Sequence, residues 1–245
     1  MMSSDESKSP TQVVEPAGET PSAPPSGDHI AEVLRGFGPV GISAIVVILL
    51  VGNDHVVPLS AILVLVWAWR SHTPWREIGY ARPKSWVASV AVGIVFGCAF
   101  KFLMKMIVMP LLGAPPINQA FHYLTGNRAA LPGMLYAVIV GAGFGEETIF
   151  RGYLFERFGK LFGPSVWAKT LIVLITSIWF GAEHYSVQGL AGAEQATIVG
   201  LVFGTVIAVT GRIFGLMIAH AAFDVTAVAM IYWNLESKVA HLLFK

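Results

Sequence analysis

The chain has 245 residues, of which 55% are hydrophobic and only 13% charged, and its mean hydropathy is +0.66. Soluble domains carry roughly a quarter of charged residues, so this composition marks an all-α polytopic membrane protein, about one compact bundle in size. A net charge of +1 gives no reason to expect nucleic acid as a partner, and a single cysteine, Cys98, excludes an internal disulfide and any cysteine-based metal pattern.

Residues 1–29, rich in Ser, Pro and Glu with almost no bulky apolar side chains, read as a disordered cytoplasmic tail without the basic start and apolar core of a signal peptide. Residues 30–245 read as a transmembrane helical bundle of about seven spans. The first is Phe37–Val51, extended backwards by Ile30–Gly36, and Gly52-Asn53-Asp54-His55 turns the chain into a second span, Val56–Ala68. The loop Arg70–Ser85 carries Arg70, Arg76, Arg82 and Lys84 among interfacial aromatics, which places it in the cytoplasm by the positive-inside rule.

Trp86–Leu112 is a third, long span in which Lys101 and Lys105 stand one helical turn apart and are expected to snorkel towards the outer face; Cys98 in the same run reads as a small buried hydrophobe. The polar, almost uncharged loop 113–131 suits the outside. Pro132 opens the fourth span, which runs from Gly133 to about Phe158 and ends in Arg157 and Lys160 on the inside. Pro164 precedes a fifth span, Ser165–Phe180, and a Gly/Ala-rich linker, Ser186–Gln195, leads to a sixth, Ala196–Thr210. After the Gly211-Arg212 turn, Ile213–Trp233 is the seventh, followed by a short amphipathic tail.

Glycines recur at four-residue spacing in Gly93/Gly97, Gly141/Gly145 and Gly200/Gly204, a pattern that lets helix backbones approach closely in lipid. The Gly141/Gly145 pair is expected to matter most, because close packing there brings neighbours against Glu146. The aromatic and aliphatic stripes read as lipid-facing or core.

The fourth span holds the stretch Gly145–Arg157, GEETIFRGYLFER. Ionisable groups at bilayer depth cost about 2.5–3.5 kcal/mol each on insertion scales, so by default they mark a site. Glu147 and Arg151 stand at i, i+4 and can pair, whereas Glu146 points elsewhere with no cation one turn away. A free carboxylate of this kind suits a general base for water. Two further polar groups lie in the spans: His184 after Phe180 at the end of the fifth, with Glu183 beside it as a solvated rim charge, and His220 with Asp224 at i, i+4 in the seventh.

These three pieces, EExxxR at Glu146–Arg151, FxxxH at Phe180–His184 and HxxxD at His220–Asp224, resemble the CAAX prenyl protease and bacteriocin-processing (CPBP, Abi) intramembrane proteases, in that order, over roughly Trp75–Trp233. The resemblance implies an endopeptidase in which Glu146, helped by His184, activates water while His220 and Asp224 stabilise the oxyanion. Glu147, Arg151 and Phe180 would support the site. Prenyl-processing members tend to have Asn at position 224; an ionised Asp cannot donate to an oxyanion, so here it is protonated, orients His220, or helps hold a metal. A divalent metal such as zinc, held by Glu146, His184 and His220, is the alternative to a metal-free glutamate-activated water, which is favoured because no HExxH is present.

The expected partners are a membrane-associated peptide or protein substrate and the lipid bilayer, and the expected location is a plasma membrane, a bacterial inner membrane. A non-catalytic scaffold or immunity protein of the same fold, and a proton-coupled transporter, are the rival readings; the absence of visible repeats speaks against the transporter. One tension stands. At about 1.5 Å per residue, Glu146 lies roughly 20 Å above Lys160, His184 roughly 30 Å above Pro164, and His220 only about 12 Å above Arg212, so straight upright helices leave the groups on different levels.

Overall fold

The computed structural model describes residues 28–51 and 57–244. Most of the tail expected at residues 1–29 and the turn expected at Gly52–His55 lie outside the described residues, as does Lys245. The described residues are helical with no strand: α1 (His29–Arg35), α2 (Pro39–Val51), α3 (Val57–Arg70), α4 (Trp86–Leu111), α5 (Leu131–Phe162), α6 (Val166–Thr210), α7 (Phe214–Tyr232) and α8 (Glu236–Ala240). Large apolar side chains stay exposed around the bundle, among them Val87, Trp167 and Val209 at 80% or more, as a lipid-facing belt requires.

Four of these helices, α4 to α7, are long and apolar enough to cross a membrane, or five if the bent pair α1 and α2 is one span. The count of seven is reached only by taking the 14-residue α3 and each limb of α6 separately. Gly189, at φ 64° and ψ −161°, breaks α6. A Cβ on Gly200 would stand 2.9 Å from Ser177, one on Gly204 3.2 Å from Val173, and one on Gly181 would strike Thr197. Residues 166–188 and 190–210 are therefore antiparallel limbs of a helical hairpin, and the linker expected at Ser186–Gln195 is helical on both sides of one glycine.

The first helix also departs from expectation. Ile30–Gly36 does not continue the helix of the first span unbroken; α1 and α2 meet at 61°. Gly36-Phe37-Gly38 precedes Pro39, which has no amide hydrogen for an upstream carbonyl, so the helix breaks there. Asp28 caps α1 by accepting from the Ala31 amide at 3.1 Å, and it pairs with Arg70 at 3.1 Å and His72 at 3.0 Å. The Ala31 amide first, then His72 and Arg70, hold its carboxyl down to about 2. That tie to the end of α3 is complete above the ordinary aspartate range and is lost only as the pH falls through about 2.

Three bonds gather the Arg- and Lys-bearing segments at one end: Lys160 to Glu77 at 2.8 Å, Arg157 to the Arg35 carbonyl at 2.8 Å, and the Ile213 amide to the Gly79 carbonyl at 2.9 Å. Arg157 is buried rather than solvated. It binds Glu156 and lies over the rings of Trp67, at 4.5 Å, and Phe37, at 5.4 Å. At the opposite end, the Gly126 amide donates to the Tyr232 carbonyl at 3.0 Å. Lys101 and Lys105 do not snorkel: they are 7% and 9% exposed. Gln195 on α6 and Glu236 on α8 offer them internal acceptors at 3.0 and 3.2 Å, which removes the reason to reach for the interface.

Helix α5 lies between α3 and α7, and α7 packs along α4. One apolar cluster joins α4, α6 and α7 around Phe100, Phe203 and Phe223; a second joins α2, α3 and α5 around Val64, Trp67 and Tyr153. The α4–α7 crossing depends on Gly93 and Gly97, since a Cβ on Gly97 would meet the Ala219 carbonyl oxygen at 2.1 Å. Gly141, by contrast, faces open space. The close approach to α7 is made by Gly143, against Ala221 and the Met217 carbonyl, while Gly145 meets Val57. Residues 137–153 have π-helical winding, with Leu154 donating to the Ile149 carbonyl, and this wider turn shifts which backbone positions face each neighbouring helix.

Gly97→Ala should therefore lower stability by about 1–3 kcal/mol, as overpacking does, whereas Gly141→Ala should be neutral or better. Unfolding in lipid bicelles measures both, and equal effects would place the tight crossing elsewhere.

Candidate active site

The π-helical segment Ala137–Tyr153 carries the ionisable cluster. Such winding is rare and recurs at functional sites. It starts after the α-helical turns that Pro132 opens, and it includes four glycines and no proline. Thr148 is anchored from outside the membrane-spanning helices. Its hydroxyl donates to the Phe144 carbonyl at 2.7 Å, so it accepts from the Tyr80 hydroxyl at 2.8 Å. Burial pushes the Tyr80 hydroxyl up to about 12, which keeps that donor protonated.

Glu147 is the centre of the cluster. It has no exposed surface, and its Oε1 accepts from Arg151 Nη1 at 3.0 Å and from His220 Nδ1 at 2.8 Å. The carboxylate can only accept, so the hydrogen bond assigns the proton to Nδ1. His220 Nε2 then faces two other carboxylates, Glu146 Oε2 at 3.8 Å and Asp224 Oδ2 at 3.6 Å. The structure thus brings Glu146, Glu147, Arg151, His220 and Asp224 together from α5 and α7. Glu146 and Asp224 are partly accessible, at 21% and 24% of their side chains, while Glu147, Arg151 and His220 are sealed.

Arg151 is held on its other side by aromatic rings: its guanidinium lies 4.4 Å from the Phe180 centroid, 5.7 Å from Phe203 and 6.0 Å from Phe150. An ion stacked this way in a dry interior gains attraction without a second carboxylate. Phe180 also meets the His184 ring at 4.6 Å. His184 bonds through Nδ1 to the Phe180 carbonyl at 2.8 Å. Among the described residues it makes no hydrogen bond or ion pair with Glu146, Glu147, His220 or Asp224, and its ring contact is with Phe180. Glu183 is exposed and accepts from Trp179 Nε1 at 2.8 Å, a rim charge as expected.

The depth tension is thereby divided. Glu146 and His220 share one level, which the wider winding of α5 and its packing against α7 allow; His184 meets the Phe180 ring, which also meets the His220 ring at 6.0 Å. Four buried polar atoms have no partner among the described residues: Glu146 Oε2, Glu147 Oε2, Arg151 Nη2 and Tyr153 Oη. The first three belong to the cluster and leave it with capacity to bind a polar group.

The set does not fit a metal centre. Among the described residues no three His, Cys, Asp or Glu side chains are placed to hold one, and Glu146, His184 and His220 are not drawn together. Two residues that matter escaped the motif reading. Phe203 stands 5.6 Å from the His220 ring, and Tyr80 secures Thr148 beside Glu147. Phe203 lies in an aromatic stripe indistinguishable from lipid-facing sequence, and Tyr80 looked like an interfacial aromatic.

Residues 128–226, under half of the chain, match the family model described as Rce1-like, type II CAAX prenyl endopeptidase Rce1-like. This agrees with the resemblance carried by the three motifs, all of which fall inside that segment. No curated protein and no solved structure matches the chain.

Arg151→Met and Glu147→Gln should each cost about 3–5 kcal/mol of stability, because each strands a buried partner. The double variant should cost less than their sum, with a coupling of about 0.5–3 kcal/mol measured by unfolding in bicelles. Strict additivity would mean that the two side chains do not act on each other.

Proposed function

Proceeding from an Rce1-like domain at residues 128–226, we propose that the protein is an intramembrane endopeptidase that hydrolyses a peptide bond of a membrane-associated protein or peptide, with Glu146 as the base that activates water. The observation that carries this reading is the His220 ring, fixed at Nδ1 by Glu147 and presenting Nε2 to Glu146 at 3.8 Å and Asp224 at 3.6 Å. A gap of 3.8 Å is too long for a direct hydrogen bond. It leaves Glu146 Oε2, which has no other partner, available to a water.

The proton accounting follows from those positions. Glu146 removes a proton from water as the oxygen attacks the peptide carbonyl carbon. The carbonyl oxygen gains the electron pair and meets His220 Nε2–H, whose orientation and positive charge are favoured by Glu147 on one side and Asp224 on the other. When the tetrahedral intermediate collapses, the proton taken by Glu146 passes to the departing amine. Asp224, 3.6 Å from Nε2, is too far for a direct hydrogen bond and acts through its charge, favouring the imidazolium and leaving Nε2–H to the oxyanion. Glu147, Arg151 and Phe180 position His220 and touch no reacting atom. His184 acts through Phe180, so its contribution is to position that ring and the Arg151 charge beneath it.

Removing the acid–base group should be decisive. Glu146→Gln should lower cleavage of a membrane-tethered peptide in proteoliposomes by about 10²–10⁴-fold, the usual worth of general base catalysis, while insertion and thermal stability are kept. Undiminished cleavage would refute Glu146 as base. Absence of cleavage by the native protein, with a biological effect that survives Glu146→Gln, would favour a non-catalytic scaffold or immunity protein. A bacterial plasma membrane is the proposed location, with the Arg- and Lys-bearing end in the cytoplasm.

A further inference from the structure

A cavity of ≈ 720 Å³ opens at the end of the bundle opposite the basic loops. It lies between the segment after α4, the Gly189 turn of α6 and the end of α7. None of Glu146, Glu147, His220 or Asp224 lines it. Much of its wall is apolar, with Met109, Ile117, Val187 and Met230 among the contributors, yet it contains both buried lysines.

The two lysines are not equivalent. Lys105 is balanced by Glu236 at 3.2 Å, and that same carboxylate oxygen also accepts from the Asn118 amide at 3.2 Å. Lys101, 7% exposed, bonds only to the neutral Gln195 Oε1 at 3.0 Å and lies over the Phe223 ring at 4.7 Å. Among the described residues it forms no ion pair; Asp224 and Glu236 act on it from further away. An ammonium group has three donors, and here one is used. A buried cation without a paired anion is costly in a low-dielectric interior, and an anion entering beside it is correspondingly favoured.

We propose that this cavity binds an anionic lipid, with its phosphate on Lys101 and part of an acyl chain along the apolar wall. The volume is that of a pocket for a small amphiphilic ligand, within roughly 300–1,000 Å³. One uncompensated cation in an apolar wall matches one phosphate on an apolar body. The alternative occupant, the carboxylate end of a peptide substrate, is disfavoured because the cavity has none of the acid–base groups in its wall. This inference is independent of the peptidase reading.

The test is binding, read without any cleavage. The full chain in neutral detergent is titrated with phosphatidylglycerol, phosphatidylcholine or inorganic phosphate while its thermal midpoint is followed, and native mass spectrometry counts the bound lipid. Phosphatidylglycerol should bind about tenfold more tightly than phosphatidylcholine, whose phosphate is already balanced by its own choline cation. Lys101→Gln should abolish that preference and Lys101→Arg should keep it. Ala227→Trp, which fills the cavity and leaves Lys101 in place, should lower lipid occupancy, and it carries the test if Lys101→Gln does not fold. Equal binding of the two lipids would overturn the proposal, as would a preference that survives Lys101→Gln or a response reproduced by inorganic phosphate alone. So would displacement of phosphatidylglycerol by a peptide with a free terminal carboxylate but not by its amide, which would assign the cavity to the substrate's end.

Discussion

A single carboxylate oxygen in a dry place organises this molecule. Glu147 Oε1 has no access to solvent and takes two donors, Arg151 Nη1 from its own helix and His220 Nδ1 from α7. An anion at that depth persists only when paired, and the pairing it finds joins two helices at one height. The requirement spreads outward. Arg151 rests on Phe180 and Phe203, which ties in both limbs of α6. His220 sets the register of α7 against α5, and Gly143 and Gly97 let α7 come close enough on its two sides.

Seen this way, Glu146 and Asp224 are the cluster's unspent groups. Their neighbours are held rigidly, while they keep partial access and no short hydrogen bond to His220. Fixed supports beside free carboxylates settle the orientation of such a site before any ligand arrives. The lysine-bearing cavity at the other end follows the opposite logic. There the charged group is held and its counter-charge is not supplied, so binding rather than proton transfer is the chemistry on offer. The two regions meet across neighbouring residues of α7, Phe223 facing Lys101 and Asp224 facing His220.

Much of this was legible in the residues. Composition indicated helices in a membrane, and the spacing of Glu147 and Arg151 indicated their pairing. The three motifs named the polar residues that α5, α6 and α7 carry. What the residues could not reveal was winding. Four-residue arithmetic assumes an α-helix, and the π-helical turns of 137–153 shift which glycine faces α7, so Gly143 took the part expected of Gly141. Long-range acceptors were equally hidden: nothing near Lys101 or Lys105 in sequence announces Gln195 or Glu236. His184 illustrates the limit of motif spacing. Its ring lies against Phe180, four residues earlier, because the preceding turn supplies a carbonyl for Nδ1, a local bond that spacing alone does not announce.

The central claim is the bond between α5 and α7. With the protein in lipid bilayers, a ¹⁵N label on His220 Nδ1 and a ¹³C label on the Glu147 carboxyl, solid-state NMR measures their dipolar coupling. The account predicts a strong coupling, that of a hydrogen-bonded contact with nitrogen 2.8 Å from oxygen, and a proton on Nδ1. No coupling, or a proton carried on Nε2 with Nδ1 bare, would contradict it.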